Sequence, residues 1–254
     1  LPGNIQSIER AATILRLLSG RSRVLGVVDI AGEMGLSKGT VHGLLRTLQS
    51  VGFVEQDPDS GKYRLGAALL HMGSSYLDGN ELRTRALNWS DALATRSGEA
   101  VRIGTLHDER VLVVHHVFRP DNSFQTLEVG TLLPAHATAL GKVLLAHHPY
   151  AASAVIAAGL AEFTLATITE PDLLERELAR VRAQGWAADI GELVPGQVSY
   201  AAPIQDRRGL TVGAMGIFGP PERLLAARQP RGDLLAYVRE GARAVSRELG
   251  AIPW

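Results

Sequence analysis

The chain has no cysteine among its 254 residues, which excludes disulfides, thiolate metal sites and cysteine nucleophiles and suits a reducing cytoplasm. Aromatic residues are scarce, at 5% within an apolar share of 46%, the balance of an ordinary globular protein. No apolar run is long enough to span a bilayer, so no membrane partner is expected. Nor does the sequence open with a basic segment and an apolar core, the mark of a secretory signal. Net charge is missing too, because 26 Lys and Arg offset 26 Asp and Glu. That balance argues against a nucleic-acid partner until the first fifty residues are counted apart. There Arg10, Arg16, Arg21, Arg23, Lys38 and Arg46 face only Glu9, Asp29 and Glu33. The bias is modest, and it permits contact with phosphates through a local surface.

What is present begins with helical periodicity. In SIERAATILRLLSG, Ile8, Ala11, Ala12, Leu15 and Leu18 recur at helical spacing and Gly20 ends the run. GVVDIAGEMG sets Val27, Ile30, Ala31 and Met34 on one face and closes at Gly35. Only Gly35, Leu36 and Ser37 then precede a third helix, whose stripe is Val41, Leu44, Leu45, Leu48 and Val51. That short connection is the turn of a helix-turn-helix. The outer face of the third helix carries Lys38, His42, Arg46 and Gln49, with Gly39 and Gly43 among them and Thr40 and Thr47 at its edges.

A glycine inside a helix costs roughly 1 kcal/mol relative to alanine. Two on one outward face fit a helix that a bulky partner must approach closely; the plainer reading is a solvated face with incidental glycines. After Gly52 the period changes, and the strand-like FVEQ and KYRL flank the turn formers DPDSG. Three helices and a hairpin in this order make a winged helix-turn-helix, with the third helix in the major groove of double-stranded DNA and the hairpin along the backbone or minor groove. The expected DNA-facing set is Ser37, Lys38, Gly39, Thr40, His42, Gly43, Arg46 and Thr47, with Lys62 and Arg64 of the wing reaching phosphates.

GAALLHMGSSYL, from Gly66 to about Leu77, is helical and more apolar than a surface linker needs, so it can pair with its own copy. A helix over ELRTRALNWSDALATRSG opens a second domain near residue 80. Strands are expected at AVRIGTLH, RVLVVHHVF, FQTLEV, WAADIGE, QVSYAAPIQD and LTVGAMGIF, and helices at HATALGKVLLAHH, PDLLERELARVRAQ and GDLLAYVREGARAVSREL. The class is α+β, with helices packed outside a sheet. FGPPERLLAARQPRG reads as an exposed connection. The expected division is 1–65, a linker helix over 66–79, and 80–254.

ATALGKV is not a phosphate loop, since His136 and Val143 stand where that motif needs Gly and Ser or Thr. A turn into a helix, with free N–H groups for a polar ligand, fits better. His115 and His116 are adjacent on a strand and face opposite ways, so they do not chelate one metal, and either one can line a pocket. Ser199 lacks the elbow motif of a hydrolase nucleophile. No cofactor is called for. An enzyme, or a sensor whose N-terminal domain binds protein, is the competing reading.

SIERAATILRLL, the third helix with the wing ending YRLG, LPAHATALGKVLLA, TITEPDLLERELARVRAQGWAAD and AAPIQD together resemble the IclR family of bacterial transcriptional regulators over essentially the whole chain. NIQSIERAA, GFVEQD, VLVVHHVFRPD and ARAVSREL place the likeness nearest the family's glycerol-operon branch. The resemblance implies a winged helix-turn-helix, a dimerising linker helix and a GAF-like C-terminal domain that binds a small organic effector. Homodimers that pair into tetramers on operator DNA follow from the same likeness. Carried over position by position, it implies a pocket of Thr138, Ala139, Leu140, Asp189, Gln197, Ser199, Gly216 and Phe218, with Gln125 on a preceding strand. Many members have cysteine where Ser199 stands, and some that bind small carboxylates have serines where Gly216 and Phe218 stand. A polyol or its phosphate, glycerol or glycerol 3-phosphate, is therefore the expected effector. Asp189 suits polyol hydroxyls but repels phosphate. Arg102 offsets that charge if it faces the pocket, and is a plain surface arginine if it does not.

Overall fold

The computed structural model describes residues 4–20 and 24–250. Arg21 and Arg23, part of the basic bias noted above, lie outside them. The chain forms two compact units, 1–79 and 80–254.

The first unit holds α1 (Gln6–Leu18), α2 (Val27–Met34), α3 (Lys38–Ser50), the antiparallel pair β1 (Val54–Gln56) and β2 (Tyr63–Leu65), and α4 (Ala67–Asp78). Its core is Ile14, Leu18, Ile30, Ala31, Val41, Leu45, Leu48, Val54 and Tyr63. The expected stripes supply Leu18, Ile30, Ala31, Val41, Leu45 and Leu48, but Ile14 lies outside them, and Ile8 and Val51, which they included, are exposed at helix ends. Gly35 turns the chain between α2 and α3 with φ of +62°, a conformation glycine adopts without a steric penalty. Leu36 N–H then donates back to Ala31 O at 3.1 Å, which fixes the angle of the turn. The wing's tip closes on Asp57, whose carboxylate accepts from Ser60 N–H at 2.8 Å. No residue of α4 is buried, and Leu70, Met72 and Tyr76 stand exposed on it.

The second unit runs α5 (Glu81–Ser97), β3 (Ala100–His107), β4 (Arg110–Val117), β5 (Leu132–Pro134), α6 (Ala139–His147), α7 (Pro149–Ala158), α8 (Pro171–Gln184), β6 (Ala187–Ile190), β7 (Val198–Gln205) and β8 (Thr211–Gly219). It ends with the single turn α9 (Pro221–Leu224), the short pair β9 (Leu225–Ala226) and β10 (Gln229–Pro230), and α10 (Gly232–Glu248). Six strands form one antiparallel sheet in the order β5-β4-β3-β8-β7-β6. Helices α5 and α10 pack on one face and α6 on the other, with α8 beyond α6. Every residue of α6 from Ala139 to Ala146 is buried, as befits a helix enclosed on all sides. Gly141 makes this possible: a Cβ there would lie 2.1 Å from Ala135 O, so only glycine lets the loop before α6 cross so closely. No helix among the described residues is long and apolar enough to cross a membrane.

Two sequence expectations need correcting. FQTLEV is not a strand: residues 124–129 are irregular, and the edge strand β5 comes later, at 132–134. Phe124 is 96% exposed, and the segment is tied by side chains instead of a ladder. FGPPERLLAARQPRG is not merely an exposed connection either. It contains α9 and the β9/β10 pair, buries Leu224 completely, and binds Arg223 to the buried Glu99 at 2.5 Å.

Candidate functional site

The first unit presents α3 as a clear outward face. Ser37, Lys38, Gly39, Thr40, His42, Gly43, Arg46 and Thr47 are all exposed, while Val41, Leu45 and Leu48 hold the helix to its core. Three hydroxyls of the set are engaged locally. Ser37 Oγ caps the helix by accepting from Thr40 N–H at 3.2 Å and lies 2.9 Å from Thr40 Oγ1, and Thr47 Oγ1 donates to Gly43 O at 3.1 Å. Lys38, His42 and Arg46 are different, since their side chains have no hydrogen bond or ion pair among the described residues. A Cβ on Gly43 would meet nothing within 4 Å, so no contact within the unit demands this glycine. On the wing, Lys62 is exposed and its side chain has no partner among the described residues, whereas Arg64 is held by Glu55 at 3.3 Å.

In the second unit the antiparallel register sets residues of five neighbouring strands side by side. Asp189, Ser199 and Phe218 are direct partners on β6, β7 and β8. In the next row on the same face, Arg102 of β3 lies between Gly216 of β8 and His116 of β4. Thr138, Ala139 and Leu140 at the start of α6 close the site from above, and Gln197 flanks it. Arg102, Thr138, Ala139, Leu140, Asp189, Gln197, Ser199, Gly216 and Phe218 thus line one cleft, completed by Leu133, Leu193, Tyr200 and Ile217. Gln125 does not join them. It sits in the irregular segment, where its amide accepts from Arg119 N–H at 2.7 Å and donates to Arg119 O at 3.0 Å. It lines instead an outer vestibule of about 240 Å³ with His116, Arg119, Glu128 and Phe218.

The cleft is nearly closed, at about 10 Å³, room for one water. Arg102 fills much of it. Its guanidinium lies 3.3 Å from the ring centre of Phe218 and is ion-paired to Glu128, with one hydrogen bond from Nη2 to Oε1 at 2.7 Å and a close charge contact between Nε and Oε2. Arg102 therefore faces the pocket and is not a surface arginine. A side chain on Gly216 has no room, for its Cβ would fall 2.3 Å from Tyr200 O. That accounts for the absence of a serine there.

Asp189 is almost fully buried, and burial raises its carboxyl pKa against hydrogen bonds from Glu192 N–H at 2.7 Å and Ser199 Oγ at 3.4 Å. Beneath it lies a group the sequence reading passed over. Lys142 of α6 is 1% exposed, ion-paired to Glu192 and 3.6 Å from Glu177. Burial raises the pKa of Glu192, while Glu177 is held low against burial by Arg180 and Lys142. The missed signal was a lysine inside the apolar run ALGKVLLA, on a helix with no polar face to carry it.

The two adjacent histidines do face apart. His116 Nδ1 accepts from Glu128 N–H at 3.2 Å beside the vestibule, and His115 lies toward Arg83 and Asp91 of α5. Burial lowers both pKa values, which keeps the rings neutral. Ser199 donates to Asp189 and is bonded to no histidine among the described residues, so it has no activating base.

Comparison with known proteins adds the following. Residues 7–58 match the IclR helix-turn-helix domain, and residues 74–247 match the C-terminal domain of bacterial IclR transcriptional regulators. The glycerol operon regulatory protein of Streptomyces coelicolor is 57% identical over 248 residues, covering 98% of both chains. The crystal structure of an IclR transcriptional regulator from Alicyclobacillus acidocaldarius superposes with a TM-score of 0.81 at 27% identity, over 98% of this chain and 100% of that one. An IclR homologue from Microbacterium hydrocarbonoxydans, crystallised in complex with 4-hydroxybenzoate, also gives 0.81 at 25% identity, over 96% and 99%.

Proposed function

The chain belongs to the IclR family of DNA-binding transcriptional regulators, which are not enzymes, and from that premise we propose how its residues divide the work. Residues 1–65 bind double-stranded operator DNA, 66–79 link, and 80–254 sense a small molecule through a GAF-like domain. Lys38, His42 and Arg46 meet base edges and phosphates in the major groove, and Gly39 and Gly43 let the helix backbone come close. Ser37, Thr40 and Thr47 border the contact. Lys62 takes a phosphate from the wing, and Arg64 joins it by leaving Glu55. The chain works in the cytoplasm as a homodimer, a second copy covering the exposed apolar residues of α4, and dimers pair into tetramers. The observation that carries the DNA-contact assignment is the exposed Lys38 and Arg46 of α3, with no partner among the described residues, beside glycines that the unit's own packing does not require.

The effector enters the cleft of Arg102, Asp189, Ser199 and Phe218, and glycerol or glycerol 3-phosphate is the proposed ligand. Support comes from the polar set converging there and from the name of the 57% identical relative. That an IclR homologue was crystallised with 4-hydroxybenzoate supports a small organic ligand in general. Binding favours one arrangement of the sensory units, which resets operator affinity by about 5- to 150-fold, the usual span of such a coupling. The test is fluorescence anisotropy of the full chain on DNA from its own promoter region, titrated with each compound. A shift within that span with one of them is expected. Unchanged affinity with both removes the glycerol assignment.

A further inference from the structure

We propose that Glu128 is a displaceable internal counter-ion, occupying on Arg102 the place that the anionic head group of the effector takes. This rests on the cleft being the effector site. Arg102 belongs to a central strand, is stacked on Phe218, and has a side chain only 9% exposed, so it cannot leave. Glu128 belongs to the irregular segment outside the ladder, its side chain is 28% exposed, and it borders the roomy vestibule. A buried guanidinium needs a counter-ion at all times, and its fork takes a carboxylate or a phosphate in the same two-pronged way. The less buried partner is the one that can be exchanged, because its charge is rehydrated as it swings out.

Volume points the same way. The cleft holds one water, whereas the vestibule across the ion pair holds about 240 Å³. Both are lined by Gln197 and Phe218, so withdrawal of the Glu128 side chain joins them into one chamber. A neutral polyol has no charge to offer Arg102 and leaves the pair intact and the cleft closed. An organic phosphate or carboxylate replaces Glu128 and satisfies Arg102 close to Asp189. The Glu128 backbone stays anchored during the exchange, because its N–H donates to His116 Nδ1 at 3.2 Å independently of the carboxylate.

Two measurements on the full chain test this. In calorimetric titrations, Glu128→Gln removes the competing carboxylate, so glycerol 3-phosphate should bind at least tenfold more tightly than to the parent chain. Glycerol should gain nothing, and Arg102→Gln should abolish phosphate-ester binding. In thermal melts, Glu128→Gln should unfold at a lower temperature than the parent. Inorganic phosphate, compared with chloride at equal ionic strength, should restore it by roughly 3 °C or more, with formate as the carboxylate arm. The double variant Arg102→Gln with Glu128→Gln should show no such rescue. Equal shifts in parent, single and double variants overturn the exchange, as does glycerol 3-phosphate binding that Glu128→Gln leaves unchanged or weakens. If Glu128→Gln is rescued by anions while glycerol 3-phosphate binds no variant, the exchange stands and the glycerol assignment falls.

Discussion

On α3, Lys38 and Arg46 stand exposed with no partner among the described residues; in the sensory unit, Arg102 and Lys142 are buried and each is bound to a carboxylate. The same residue chemistry is used in opposite ways. An exposed cation costs the fold little to keep, and its charge is free to displace counterions from DNA phosphates. A buried cation has already lost its water, so its partner is part of the structure and can only be exchanged, never omitted. The first arrangement suits a surface that must meet many phosphates quickly. The second suits a switch, where binding one ligand has to change something else.

The sharpest break between the two regions should come from removing one cation in each. Lys142→Met leaves Glu192 buried without its partner and should cost about 3–5 kcal/mol in urea unfolding, whereas Lys38→Met should change stability by no more than about 0.5 kcal/mol. Equal losses would erase the distinction. Arg46→Ala should weaken operator binding by about 1–3 kcal/mol with relaxed preference at one base pair, while the melting curve stays where it was. Uniform weakening on all sequences would make Arg46 a phosphate contact instead.

Gly43→Ala sharpens the comparison further, because a Cβ there meets nothing in the unit. It should stabilise α3 by up to about 1 kcal/mol and weaken operator binding in the same protein, measured by melting and by anisotropy. Asp189→Asn gives the smallest effect and a pH signature. Burial raises the Asp189 pKa in the folded state, so its contribution to stability is fully present below the ordinary carboxylate range and is lost as pH rises through the folded value. The variant should therefore gain on the parent as pH climbs from acid to neutral in urea titrations. A gap constant with pH contradicts a buried ionising carboxyl.

The first unit was almost wholly legible in the sequence because its information is local. Stripes at 3.6-residue spacing, a glycine at a left-handed turn and Asp-rich punctuation in the wing each act within a few residues. The sensory unit was legible where strands were long and alternating. Its three-residue edge strand β5 and the alanine-rich α7, which has no apolar stripe to stand out, left no comparable signal. FQTLEV misled because a short run of strand-favouring residues does not reveal whether the backbone finds a ladder partner or, as here, a side-chain clip. Eight positions of the cleft came from family likeness and Arg102 from its place on the first strand, and the fold brings these nine together, but the pairings that give the cleft its character were not legible. Arg102 meets Glu128 across 26 positions and Lys142 meets Glu192 across 50, separations at which no local pattern operates.

The most direct test of the DNA-reading face is the salt dependence of operator binding by the full chain, measured by anisotropy for the parent and for Lys38→Ala. The logarithm of affinity should fall linearly with the logarithm of salt concentration, and Lys38→Ala should lower that slope by roughly 0.9 if it meets one phosphate. Affinity indifferent to salt, or slopes for the single alanine variants of Lys38, Arg46 and Lys62 that all equal the parent's, would contradict the placement of α3 and its wing on DNA.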